Sequence, residues 1–175
     1  MAAETIYLGN PLLKKANVQQ EFTQEQIEEF MKCAGDPIYF AKNYIKIVSL
    51  DEGLTQFNPY DFQEKLIKRF HENRFNICKM PRQTGKSTTS VSYLLHYAVF
   101  NDNVNIGILA NKAATARDLL GRLQTAYENL PKWMQQGIIS WNKGSLELEN
   151  GSKILAASTS ASAVRGMSFN ILFLD

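Results

Sequence analysis

Long apolar runs are missing from this 175-residue chain. No stretch approaches the roughly 20 residues that a membrane-spanning helix needs, so no membrane contact is expected. The start, MAAETIYLGN, does not join a basic segment to an apolar one, so it does not read as a secretory leader. Cysteine is scarce: there are two, Cys33 and Cys78. They lie far apart without metal-ligand neighbours, which excludes a disulfide framework or a CxxC centre and suits a reducing cytoplasm. Cys78 falls in an apolar run and is expected as a buried thiol. A charge excess is also missing. A net charge of +2 does not mark a nucleic-acid binder, although a local basic stripe fits inside such a total. No internal repeat or low-complexity tract is visible.

What is present is an ordinary globular mixture, 45% hydrophobic and 21% charged, enough for the core of one domain. Residues 1–20 are polar and weakly patterned and read as an N-terminal arm. TQEQIEEFMKC places Ile27, Phe30 and Met31 on one helical face, with Thr23 and Gln26 spaced as a capping box. A second helix is expected to open at Asp36-Pro37, and VSLDEGLTQFNP breaks the pattern. PYDFQEKLIKRFHENR (59–74) is amphipathic, with Phe62, Leu66, Ile67 and Phe70 together.

Strands and helices then alternate. FNICKM (75–80) reads as a strand and 86–100 as a buried helix. VNIGILA (104–110) is the next strand, and 111–130 a helix capped by Asn111. SLELENGSKILAAS turns at Asn150-Gly151, a strong hairpin signal. FNILFLD (169–175) is an apolar run ending in a carboxylate. This order predicts an α/β fold with a mostly parallel sheet flanked by helices, plus an inserted or edge hairpin.

One stretch carries chemistry. NICKMPRQTGKSTTS (76–90) matches the phosphate-loop pattern G-x-x-x-x-G-K-[ST] at Gly85, Lys86 and Ser87, between an expected strand and a helix. Met80 stands where the first glycine belongs, and Pro81 can preset a different turn. Backbone N–H groups from 82 to 87 at a helix start suit phosphate oxygens. In that frame Lys86 balances the β- and γ-phosphates, and the Ser87 hydroxyl ligates Mg²⁺. The candidate nucleotide set is Pro81, Arg82, Gln83, Thr84, Gly85, Lys86, Ser87 and Thr88. Arg82 within the loop fits a transition-state arginine supplied in cis; the competing reading is a solvent-facing arginine. ILFLD resembles a Walker B strand, with Asp175 beside the loop holding Mg²⁺ or its water shell. The competing reading is a turn aspartate after an ordinary strand.

PRQTGKS, WNKGSLELENGS, AVRGMSF and ILFLD, in this order and spacing, resemble the large terminase subunit of contractile-tailed bacteriophages, the ATPase of the DNA-packaging motor. The resemblance runs from about Phe57 to Asp175. It implies a P-loop NTPase fold of the RecA/ASCE-like type and a phosphate loop that often lacks its first glycine and carries an arginine. It places Phe62 against adenine and Gln63 on the edge of the base, through YDFQ. Arg165 in AVRG resembles an arginine inserted into a neighbouring subunit's ATP site; a cis contact beside the last strand is the alternative. Lys112 and Arg117 lie where related translocases touch nucleic acid, or else on a solvated face.

The resemblance further implies ATP and Mg²⁺ as cofactors. Its implied partners are double-stranded DNA, a portal protein, a small terminase subunit and sister copies in a ring. The implied location is the host cell cytoplasm, with transient docking on the procapsid. Residues 1–20 are then the arm, 21–58 a helical, lid-like subdomain and 59–175 the ATPase domain. The family's water-orienting glutamate, coupling motif and nuclease domain would follow Asp175. The expectation is therefore a chain truncated at the Walker B strand, binding Mg-ATP but hydrolysing it feebly. The alternatives are a superfamily 2 helicase-like ATPase, recognised by a DExH-type box and a second RecA-like domain, and a nucleotide-binding fragment without turnover.

Overall fold

A computed structural model of the chain describes residues 5–49, 51–159, 164 and 166–175. A hairpin, β1 (Ile6–Tyr7) and β2 (Asn10–Lys14), opens the chain. Helices α1 (Gln24–Gly35) and α2 (Pro37–Tyr44) follow, then a second hairpin, β3 (Lys46–Ser49) and β4 (Gly53–Gln56). After α3 (Asp61–Glu72) and α4 (Lys86–Phe100) come β5 (Asn105–Ala110) and α5 (Ala113–Glu128). Strands β6 (Ile138–Trp141), β7 (Ser145–Leu148), β8 (Lys153–Ser158) and β9 (Ile171–Leu174) complete it.

The central sheet has the order β6-β7-β8-β5-β9. Strand β5 runs parallel to both β8 and β9, whereas β6, β7 and β8 pair antiparallel. The sheet is thus mixed, correcting the mostly parallel expectation. The reason is the turn at Asn150-Gly151. Gly151 has φ +80° and donates its N–H to Leu148 O at 3.0 Å, and so short a link permits only antiparallel neighbours.

Local signals explain the helices. Thr23 and Gln26 form the expected reciprocal cap, with Thr23 Oγ1 accepting from Gln26 N at 3.2 Å and Gln26 Oε1 from Thr23 N at 3.1 Å. Asp36 Oδ1 accepts from Ile38 N and Tyr39 N, and Pro37 fills the first helical position. The buried face of α1 differs from the expected one. Ile27 and Met31 are exposed and Cys33 is fully buried, because α1 meets α4 through Phe30, whose ring lies 4.8 Å from that of Phe100. His96 of α4 donates from Nε2 to Cys33 O at 2.9 Å. Phe40 packs edge-on against both His96 and Phe100. On α5, Lys112 rather than Asn111 occupies the cap, without a side-chain bond.

Two further expectations fail. Residues 75–80 join no strand; Phe75, Ile77 and Cys78 are exposed. Whether an apolar run becomes a strand is decided by pairing elsewhere in the fold, and 75–80 does not pair with the open edge of β9, where the sheet ends. The residues expected as an arm instead form β1–β2, seated beside β6. Leu13 is buried, Ala16 N–H reaches Ile138 O at 3.3 Å, and Gln135 bonds the backbone of both Leu12 and Lys14. Glu149 accepts from Gly137 N at 2.7 Å and Asn17 N at 2.9 Å.

Candidate functional site

The loop from Pro81 to Gly85 is wound by two left-handed residues, Gln83 at φ +63° and Gly85 at φ +72°. Gly85 is the N-cap of α4, so Lys86 is its first helical residue. The carbonyl of Gly85 accepts from both the N–H and the hydroxyl of Thr89, each at 2.9 Å. Ser90 bonds back to Lys86 O at 3.0 Å, and Thr84 Oγ1 donates to Pro81 O at 3.0 Å. The first N–H groups of such a helix have no intrahelical acceptor. Among the described residues, the Ser87 and Thr88 hydroxyls make no hydrogen bond of this kind, and Lys86 and Arg82 enter no ion pair. Arg82 and Gln83 are exposed; Lys86, Ser87 and Thr88 are half-buried.

Phe62 stands in the first turn of α3, partly exposed, stacked on Tyr60 with ring centroids 5.7 Å apart and planes 11° apart. With Leu66, Met80, Pro81 and Thr84 it lines an open shelf beside the loop, edged by Lys65 and Arg69. Gln63 points elsewhere. It is only 4% exposed; its Oε1 accepts from Tyr60 N at 2.9 Å and its Nε2 donates to Thr84 O at 3.1 Å. The structure therefore brings Phe62 to the loop through the shelf, and Gln63 to the loop through its backbone.

A separate cleft of about 640 Å³ is lined by residues 70–74, Asn76, Cys78, the Lys86 side of α4 and β9 as far as Asp175. Lys86 and Asp175 thus share one cavity, without an ion pair between them among the described residues. Asp175 is exposed, and its backbone N–H donates to Leu109 O at 2.9 Å. Lys112, the cap of α5, and Arg117 within it are exposed. Arg165 lies outside the described residues.

Sequence reasoning missed the shelf. Met80 departs from the phosphate-loop pattern in sequence, yet it supplies apolar surface next to Phe62. Phe62 is exposed and Gln63 buried, the reverse of the apolar face that the sequence pattern predicts, so no sequence signal marks the shelf. The donor set fits a polyphosphate: backbone N–H groups at a helix start, an unpaired lysine, and an apolar shelf alongside for a flat ring. No group of three or more His, Cys, Asp or Glu able to hold a metal ion occurs among the described residues. Mg²⁺ is bound by one or two protein oxygens together with phosphates and water. Ser87 and Asp175 are the residues that would hold it. Among the described residues no helix is long and apolar enough to cross a membrane.

Comparison with solved structures finds a similar fold in the crystal structure of the HK97 bacteriophage large terminase. The TM-score is 0.66 at 19% identity, over 81% of this chain and 30% of that one. The chain therefore spans under a third of the length of that terminase. A second comparison is more specific, because it covers the loop, β5, the β7–β8 hairpin and β9. The sequence model for the N-terminal part of the T4likevirus-type terminase large subunit matches residues 77–175, and the chain belongs to this family of phage terminase large subunits.

Proposed function

We propose that this chain binds Mg-ATP at the Pro81–Thr88 loop and forms the ATPase part of a motor that moves double-stranded DNA into a procapsid. The observation that carries the reading is the placement of Lys86. It opens α4 directly after left-handed Gly85, without an ion pair among the described residues, in the cleft it shares with Asp175. Membership of the terminase family supports a packaging ATPase.

In this reading the first N–H groups of α4 and the Lys86 ammonium hold the β- and γ-phosphates. The Ser87 hydroxyl and the Asp175 carboxylate orient Mg²⁺, while Phe62 and Met80 cover the base. Bound Mg-ATP supplies the phosphoanhydride whose hydrolysis drives translocation. Arg82 would stabilise charge developing on the terminal phosphate, with Arg165 as a second candidate. Lys112 and Arg117 are the proposed contacts to the DNA backbone. Proposed partners are the portal protein, the small terminase subunit and sister copies in a ring, with the host cytoplasm as the site of action.

Photolabelling with 8-azido-ATP tests the placement of the base. Label on peptides spanning 60–69 or 79–84, displaced by ATP, supports it; label elsewhere that ATP does not displace contradicts it.

A further inference from the structure

The Asn150-Gly151-Ser152 turn lies at the opposite end of α4 from the phosphate loop, yet its side chains close on that helix. The last carbonyls of an α-helix have no intrahelical donor. In α4 they are met from other segments. Asn150 Nδ2 donates to Ala98 O at 3.0 Å and to Asn101 O at 3.1 Å, and Gln136 Nε2 donates to Val99 O at 3.0 Å. Ser152, fully buried, adds its hydroxyl to Asn101 O at 2.8 Å. The same turn holds the approach to β5. Asn103 N donates to Asn150 O at 2.9 Å, and Lys153 N to Val104 O at 2.8 Å. Asn150 Oδ1 accepts from Ser152 N at 3.1 Å, so both ends of its amide are used. Gly151, at φ +80°, comes so close to Asn103 that a Cβ would collide with its side-chain oxygen.

We infer that Asn150 is a positioning residue for the nucleotide site: it fixes the axial register of α4 against β5, and with it the spacing of Lys86 and Asp175 across the cleft. Lys86 opens α4, and Asp175 is tied by its N–H to Leu109 O near the end of β5. Both groups therefore stand at the cleft end of elements whose opposite ends meet at the 150–152 turn. Packed helices shift by sliding as rigid bodies. A clamp on the last carbonyls of the 15-residue α4 thus acts at its first residue, about 22 Å away. Mg²⁺ demands near-ideal coordination geometry, so its site is sensitive to that spacing. This inference rests on the proposal that Mg-ATP binds between Lys86 and Asp175.

The positioning role separates from simple bracing by the metal dependence of binding. ATP is titrated with Mg²⁺ and with EDTA against the chain, Asn150→Ala and Glu149→Ala. Glu149 seats the N-terminal hairpin, so its variant controls for lost stability. The gain in affinity from Mg²⁺ is expected to fall about three- to tenfold in Asn150→Ala, within the range for side chains that couple sites without touching a ligand. It is expected to stay unchanged in Glu149→Ala. In nucleotide-free protein, the amide NMR resonances of 86–88 and Asp175 are expected to move in Asn150→Ala and to stay in place in Glu149→Ala. Ser152→Ala, which removes one bond to Asn101 O, is expected to move both readouts in the same direction and carries the test if Asn150→Ala does not fold.

An unchanged Mg²⁺ gain in the folded variant overturns the inference, and so do unmoved resonances at 86–88 and Asp175. An equal fall in Glu149→Ala overturns it as well, since the effect then follows stability alone. An unmutated chain that binds no ATP overturns the nucleotide reading itself, and the inference with it.

Discussion

Asp175 donates its backbone N–H to the carbonyl of Leu109 at 2.9 Å, which ties the end of β9 to the end of β5. The carboxylate is thereby brought to the cleft that Lys86 lines from α4. The proposed metal role of Asp175 rests on this placement. Asp175→Asn is expected to weaken ATP binding several-fold in Mg²⁺ and to leave binding in EDTA unchanged, since only the metal-bridged contact is lost. Parallel titrations with and without Mg²⁺ check this.

Gly85 carries two constraints at once, a left-handed backbone and the close approach of Gln63. Gly85→Ala is expected to lower stability by about 1–3 kcal/mol, the usual range for strain of this kind. It should also remove ATP binding by displacing the loop. Urea unfolding and a binding titration on the same variant test both effects.

His96 makes stability depend on pH. Burial, offset in part by the bond to Cys33 O, depresses its pKa to about 4 from 6.5. Among the described residues Nδ1 has no hydrogen-bond partner while Nε2 meets the carbonyl, so the neutral Nε2–H tautomer fits. The folded state therefore binds fewer protons than the unfolded state between these values, and stability rises with pH there. His96 contributes fully above pH 6.5, and the contribution is lost as pH falls towards 4. Between pH 7 and pH 5 the loss is about 2 kcal/mol, measurable by urea unfolding. His96→Leu should flatten that slope while lowering stability, because Cys33 O is left unpaired.

Glu149 seats the N-terminal hairpin through Gly137 N, Asn17 N and Lys14 Nζ, the last at 3.4 Å. Glu149→Ala is expected to cost about 2–3 kcal/mol, as for other hydrogen bonds to a charged group. It should open Lys14 and Lys15 to trypsin with ATP affinity unchanged, because the hairpin lies away from the loop. Limited proteolysis with mass spectrometry reads the cut sites.

Much of the fold is legible in local chemistry. The caps at Thr23 and Asp36, the helix from Lys86 to Phe100 and the Asn150-Gly151 turn all stand where their residues predict, because each is decided within a few residues. What escaped depends on distant partners. β1–β2 is held by Gln135 and Glu149, β3 and β4 are too short to show a period, and 75–80 is apolar yet does not pair with the open edge of β9. The same division holds at the site. The Gly85-Lys86-Ser87 motif announces the loop, but the bridge from Gln63 to Thr84 joins two helices' starts and has no sequence period to reveal it.

The central claim is that Lys86 holds nucleotide phosphates in this loop. Calorimetry of Mg-ATP against the chain and against Lys86→Ala tests it most directly, with unfolding midpoints measured in parallel. Removal of a charge-assisted contact, worth about 1.5–3 kcal/mol, predicts at least a tenfold weaker affinity at an unchanged midpoint. Equal binding by both proteins, or none by the folded unmutated chain, would contradict the account.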